Sequence, residues 1–388
     1  MMIILRNANV YAPEPLGLQT LVVGGGKVLW MGLDSAAPTA GDWVGEEVDL
    51  GGATLVPGLV DGHSHPTGGG GEAGPETRVP APMLSTYTRA GVTTIVGMLG
   101  TDGETRDMAA VCAAVRGLRA EGLSAYCLTG GYHIPGRTIT GSLRGDITHI
   151  DEIIGVGELA LSDFRSSQPT LDELLRIASE AQIGGMLTGK AGIVHLHMGD
   201  GPRGLELVRA ALDQSELPAR VFHPTHVNRQ RALFDEAMAL TARGCTIDVT
   251  AFPVDDDEDA WSAEAALSKY FAAGLPKGQI TVSSDCGGCL PVFDGNGVMT
   301  HMDIGGPNEL LMTIAKLVAA GHELCDVLMP FTSNPARLLR LASKGRVAVA
   351  ADADLVVLDD QLRATGVMAG GAWHVRDGAL VQRGTFEA

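Results

Sequence analysis

Apolar and polar positions follow two different textures along the chain. Up to about residue 57, short β-rich runs (MIILRNANVYA, QTLVVGGGKVLWMG, EEVDLGGATLVPG) are separated by glycine and proline turns. The texture returns from about Gly345, in GRVAVAADADLVVLDD, ATGVMAGGAWHVRDG and ALVQRG. Two like ends around a different centre predict a small β-sandwich domain formed by both termini, residues 1–57 with 345–388. The VVGGGKV stretch at 22–28 looks like a phosphate loop but lacks its spacing and following helix, so it reads as a hairpin turn.

The centre, 58–344, alternates. Strand-like apolar runs recur at 55–65, 92–99, 124–129, 153–158, 193–198, 220–226, 245–250 and 279–285. Helical stretches separate them, including 204–213, 230–243, 308–320 and 170–182, where Thr170 and Glu173 form a capping-box pattern. Eight strand–helix alternations predict an α/β protein built on a (β/α)8 TIM barrel. An open doubly wound sheet also alternates, but it would not place polar groups after so many strands.

Those polar groups carry the chemistry. His63 and His65 close the first run, Glu158 the fourth, His197 the fifth, His226 the sixth and Asp285 the last. A barrel delivers such strand-end residues to one rim. Imidazoles and carboxylates so gathered suit a pair of divalent metals, a metal-activated hydroxide and hence hydrolysis. A two-residue period turns His63 and His65 to one side. His195 and His223 compete with His197 and His226. The latter pair lie nearer the strand ends, which leaves the other two as barrel filling or support. Asp285 could instead cap a helix, but Gly287 and Gly288 weaken that reading.

Composition narrows the class. With 45% hydrophobic and 19% charged residues the chain reads as globular, and 52 glycines against 4% aromatics favour tight loops. A net charge of −18 argues against nucleic acid as a partner. No basic leader with an apolar core opens the chain, and no uninterrupted apolar run of about 18 residues occurs, so neither a signal peptide nor membrane association is expected. The six cysteines (112, 127, 245, 286, 289 and 325) are scattered, as reduced thiols in a cytoplasmic protein would be. Cys286 and Cys289 form C-x-x-C, yet a zinc knuckle needs a second pair and a redox motif needs a thioredoxin-like context.

Longer segments are more specific: GLVDGHSHPTGGGGEAGPETR (58–78), MLGTDG (98–103), TGGYHIPGRTITGS (129–142), LSDFRS (161–166), HMGD (197–200), PTHVNR (224–229) and SSDCGG (283–288). Over nearly its whole length the chain resembles the isoaspartyl dipeptidases of the amidohydrolase superfamily. The resemblance implies a barrel with a β-sandwich from both termini, two zinc ions per subunit, and cleavage of the side-chain amide of β-aspartyl dipeptides. It also implies a homo-oligomer, in the family often an octamer. Carried over position by position, His63, His65 and Asp285 would bind one zinc, and His197 and His226 the other. Asp285 would accept and return the proton. Glu72, with the Gly70–Gly71 backbone and Thr101, would recognise the substrate's α-amino group. Tyr132 would polarise the scissile carbonyl and stabilise its oxyanion. Arg165 and Arg229 would hold the α-carboxylate of the departing residue.

Two positions depart from the family. Where relatives bridge the metals with a carboxylated lysine, this chain has Glu158, and no lysine lies between 120 and 189. Glutamate offers the same charge and two oxygens without carbon dioxide, so Glu158 is expected to bridge directly. Cys289 replaces a serine that meets the substrate carboxylate, and a thiol is a weak donor. Two alternatives stand beside this reading. A related amidohydrolase acting on N-acyl amino acids or cyclic amides would have no use for Glu72. A scaffold that lost its chemistry would have no use for a complete ligand set.

Overall fold

The structure is a computed structural model that describes residues 2–38, 41, 44–255, 258–293 and 299–387. The chain opens with five strands, β1 (Met2–Tyr11), β2 (Pro15–Gly24), β3 (Lys27–Gly32), β4 (Val44–Asp49) and β5 (Thr54–Pro57). The expected hairpin turn joins β2 to β3, with Gly25 and Gly26 at φ 58° and 78°, values that a side chain resists.

Eight strands of the alternating region follow: β6 (Leu59–Ser64), β7 (Val92–Gly97), β8 (Ser124–Thr129), β9 (Ile153–Leu161), β10 (Val194–Met198), β11 (Phe222–Thr225), β12 (Ile247–Thr250) and β13 (Ile280–Ser283). β6 to β11 pair in parallel, in chain order, as one curled six-stranded half-barrel. β12 and β13 form a separate parallel pair. This pair lies against β11 on one side. On the other side, Ser64 bridges Cys286 in parallel and the His65 amide donates to the Cys286 carbonyl at 2.7 Å. A hairpin, β14 (Cys289–Phe293) with β15 (Met299–Ile304), comes next and was not anticipated from the sequence.

The last strands are β16 (Leu355–Leu358), β17 (Ala364–Ala369), β18 (Ala372–Arg376) and β19 (Ala379–Leu380). They return to the first five and complete one nine-stranded sheet, in which β5 runs between β1 and β16. Leu5, Val10, Leu21, Leu55, Leu355 and Met368, drawn from both ends, pack into one buried cluster.

The helix expected at 170–182 spans Leu171–Thr188. Both halves of the Thr170–Glu173 capping box are present, and Gly189 at φ 73° ends it. Leu174, Ala178 and Ala181 turn one face into the main core. Helices Met108–Ala120 and Ala263–Ala272 were missed. Their buried faces, Met108, Val111, Cys112, Val115 and Leu118 in the first and Ala263, Ala266, Leu267 and Tyr270 in the second, follow the helical period. No helix among the described residues is long and apolar enough to cross a membrane.

A buried ion network fastens the terminal sheet to the centre. Lys344, 6% exposed, donates to Asp354 at 2.6 Å, to Ser124 at 2.5 Å, and reaches Asp352 at 2.8 Å. Lys27 meets Asp352 from the other side. Lys344→Met would strand the buried Asp354 charge. We expect a loss of about 3–5 kcal/mol, the usual cost of removing one partner of a buried pair. Chemical denaturation checks this, and a loss below about 1 kcal/mol, the scale of an exposed pair, would contradict it.

Candidate metal centre and substrate pocket

Parallel strands bring their C-terminal ends to one side, so residues far apart in sequence converge there. His63 lies on β6, with His65 just beyond it; Glu158 lies on β9 and His197 on β10. His226 directly follows β11, and Asp285 lies two residues past β13. All six are buried, at 0–7% exposure.

Their atoms face one another closely. His65 Nε2 lies 3.0 Å from Asp285 Oδ1 and 3.2 Å from His63 Nε2, and His63 Nε2 is 3.4 Å from the same Asp285 oxygen. Glu158 sits among four imidazoles: Oε2 is 3.1 Å from His197 Nδ1, 3.5 Å from His63 Nε2 and 3.6 Å from His226 Nε2, and Oε1 is 3.6 Å from His65 Nε2. His63, His65 and Asp285 form one set that could hold a cation, and His63, Glu158 and His226 another. His197 reaches the second set through Glu158.

The donor chemistry fits a cation. His65 Nδ1 faces the Met98 carbonyl at 3.3 Å, an acceptor only, so its proton belongs on that side and Nε2 presents a lone pair. That lone pair meets Asp285 Oδ1, a buried oxygen with no hydrogen-bond donor. Two facing acceptors need positive charge between them. The same demand appears in the ionisation of the groups. Burial alone would lower the His63 imidazole, but Glu158 and Asp285 outweigh it and raise it to about 9. Burial opposes ionisation of Asp285, yet His63 and His65 hold its carboxyl down to about 2. Burial likewise opposes Glu158, and the surrounding imidazoles still hold it well below the ordinary range.

Backbone shape serves the same point. His226 and Asp285 have φ of 59° and 52°, a region that residues with side chains avoid and that tends to mark functional sites. A Cβ on Gly288 would stand 2.2 Å from Asp285 Oδ1, so only glycine leaves that carboxylate its room.

Above the centre opens a cavity of about 740 Å³. Glu72 enters it from the loop after His65. Thr101 donates to Glu72 Oε1 at 2.8 Å, and the Cys289 thiol reaches Oε2 at 3.2 Å. Burial and then Glu72 push the Cys289 thiol well above its ordinary range. Gly70, at φ 73°, has no room for a Cβ, which would meet the Thr77 carbonyl at 2.4 Å. Arg106 was not singled out in the sequence; its guanidinium donates to the carbonyls of Gly69 and Gly70 and so pins this loop. Tyr132 OH lies 2.8 Å from the His197 ring nitrogens, and burial keeps its phenol protonated well above the usual range.

Arg165 is clamped by Asp163, whose two oxygens accept at 3.0 and 2.8 Å, and its Nη1 faces Glu72 Oε1 at 3.5 Å. Asp163, within the LSDFRS segment, was not singled out in the sequence. Arg229 donates to the Met198 carbonyl at 3.0 Å and pairs with Asp200 at 2.7 Å. The C-x-x-C pair is split: Cys286 is buried beneath the rim, whereas Cys289 lines the cavity. All six cysteines are free thiols. His195 and His223 lie below the six, with His195 Nε2 2.9 Å from His63 Nδ1.

The model of the Amidohydrolase family matches residues 54–374. A β-aspartyl dipeptidase from the thermophile Fervidobacterium islandicum AW-1, solved with the β-Asp-Leu dipeptide, is similar at 41% identity and a TM-score of 0.91, over 98% of each chain. A second structure of the enzyme from that source gives 39% identity and a TM-score of 0.88, again over 98% of each. A D-hydantoinase from Thermus sp. shares the fold at 16% identity and a TM-score of 0.67, over 99% of this chain and 97% of that one. With these matches spanning the half-barrel and its rim, the chain belongs to the amidohydrolase family and stands within it beside the β-aspartyl dipeptidases.

Proposed function

We propose that this protein is a metallopeptidase that hydrolyses the side-chain amide of β-aspartyl dipeptides. The observation that carries the proposal is the position of Glu158, whose two oxygens touch four imidazoles at 3.1–3.6 Å beside Asp285, under a cavity lined by charges of both signs. The 41% identity to an enzyme solved with β-Asp-Leu supports the substrate class.

Two zinc ions fit the donor set. His63, His65 and Asp285 would hold one, His197 and His226 the other, and Glu158 would bridge them without carbon dioxide. When bound, such ions lower the pKa of water and polarise a carbonyl oxygen. The remaining work belongs to the side chains. Water adds to the side-chain carbonyl carbon while Asp285 takes its proton, and Asp285 returns that proton to the nitrogen as the C–N bond breaks. Tyr132, protonated and buried, is a donor for the developing oxyanion. Glu72, with Thr101 and the Gly70–Gly71 backbone, would pair with the substrate's α-ammonium. Arg165 and Arg229, with Cys289 at the same wall, would meet the terminal carboxylate.

The architecture supports the same reading. We take β6–β13 to close as a (β/α)8 barrel over residues 58–344, since β12 and β13 fill the gap between β11 and β6. The nine-stranded sheet of residues 1–57 and 345–388 is taken as a small β-sandwich, supported by the core its two ends share. Purified, zinc-loaded protein should hydrolyse β-Asp-Leu and leave N-acetyl-leucine untouched, because Glu72 serves only a substrate with a free amine. Activity on N-acetyl-leucine alone would replace this proposal with an acylase.

A further inference from the structure

Beneath the rim, a file of polar side chains fills the interior of the strands and ends on His63; below that ring none has a role in the chemistry above. His195 and His223 are register partners on β10 and β11, so both rings turn to the same side, and their Nδ1 atoms meet at 2.8 Å. Asp248 and Thr281 are register partners on β12 and β13. His223 Nε2 contacts Thr281 Oγ1 at 3.1 Å, and Thr281 donates to Asp248 Oδ1 at 2.5 Å. The upper end is His63 Nδ1 against His195 Nε2 at 2.9 Å. His63, His195, His223, Asp248 and Thr281 are at most 3% exposed, so water cannot complete any of these contacts.

Only one arrangement of hydrogens satisfies the whole file. A carboxylate only accepts, and Asp248 receives the hydroxyls of Thr225 at 2.7 Å and Ser283 at 2.5 Å as well as Thr281. The Thr281 hydroxyl therefore points away from His223, so His223 Nε2 must donate to it. His223 Nδ1 is then bare and accepts from His195 Nδ1, which leaves His195 Nε2 bare. That atom accepts from His63 Nδ1, so the proton of a neutral His63 ring sits on Nδ1 and its lone pair is on Nε2, the nitrogen facing Glu158 and Asp285. We propose that Asp248, acting through Thr281, His223 and His195, is a positioning residue that fixes the tautomer of His63 and thereby its readiness to bind metal. The inference rests on the metal-centre reading above.

Asp248→Asn tests it. An amide can accept from Thr225 and Ser283 and donate to Thr281, which would turn Thr281 toward His223 and reverse every hydrogen up to His63, placing a proton where the metal must bind. Zinc affinity of the metal-free protein is read by competition with a chromogenic chelator. Asp248→Asn is expected to bind zinc about 10–100-fold more weakly, the scale found when partners behind a ligand are lost, with the metal-free melting temperature near that of the parent. Thr281→Val, which breaks the file, should also weaken zinc, and Thr281→Ser, which keeps the hydroxyl, should restore it. This pair decides the matter if Asp248→Asn does not fold. Parental zinc affinity in both Asp248→Asn and Thr281→Val would overturn the inference and leave the metal centre standing. A parent protein that binds no zinc would overturn both.

Discussion

Glu158→Gln is expected to fold and to lose β-aspartyl dipeptide hydrolysis by about three orders of magnitude or more. A metal ion supplies several kcal/mol at the transition state, and about 4 kcal/mol is a thousandfold in rate. The substitution keeps the shape and removes the charge. An amide in that place offers one oxygen to a space where four imidazoles now share two, and its NH2 group would face nitrogens that should be bare. Elemental analysis after zinc saturation should show fewer than two equivalents in the variant against two in the parent. A Gln variant holding two equivalents and hydrolysing within tenfold of the parent would remove Glu158 from the centre. Direct bridging by glutamate also predicts that reactivation of chelator-stripped parent protein by zinc is indifferent to bicarbonate. A bicarbonate requirement would show that a carbamylated amine, or carbonate itself, bridges instead.

Asp285→Asn should lower kcat by about 10²–10⁴-fold, the range that a positioned acid–base group contributes. KM should move far less, because the groups proposed to hold the dipeptide, Glu72, Arg165 and Arg229, stand on other loops of the cavity. Asparagine is nearly the same size, so it fits the room that Gly288 leaves at this position. What it lacks is the charge that would help hold zinc and an oxygen able to take a proton and give it back, so the two proteins are compared at equal zinc content. A variant that keeps more than a tenth of parental kcat would pass the proton role to another group, and a matching rise in KM would point to substrate binding.

Much of this was legible because ligands on a parallel sheet interrupt apolar runs at their ends. His63, His65, His197, His226 and Asp285 each appear as a polar residue near the end of a buried strand, Glu158 lies within β9, and the structure gathers all six. Glu158 was visible only by counting back from SDFRS, since a lone glutamate in IIGVGELAL carries no mark of its own. Asp248 and Arg106 escaped notice for a different reason. Their importance comes from partners across strands or loops, Thr281 in one case and the carbonyls of Gly69 and Gly70 in the other, and register is invisible to a local pattern. His195 and His223 were read as filling or support; what no periodicity revealed is that they face each other. Helix Met108–Ala120 went unlisted although Met108, Val111, Cys112, Val115 and Leu118 recur on one face, and β14 and β15, among the described residues, pair in the ladder with each other and with no strand of the barrel region.

The placement of β5 between β1 and β16 bears on how the chain is made. β5 ends at Pro57, and its neighbour begins at Leu355. During synthesis the opening strands leave the ribosome with one flank of β5 unsatisfied, and they stay so while everything in between is translated. Contacts of such long separation form slowly. An exposed strand edge is also a template for the wrong partner. We therefore expect nascent chains stopped before residue 355 to be prone to self-association through that edge, even where the central strands have already packed.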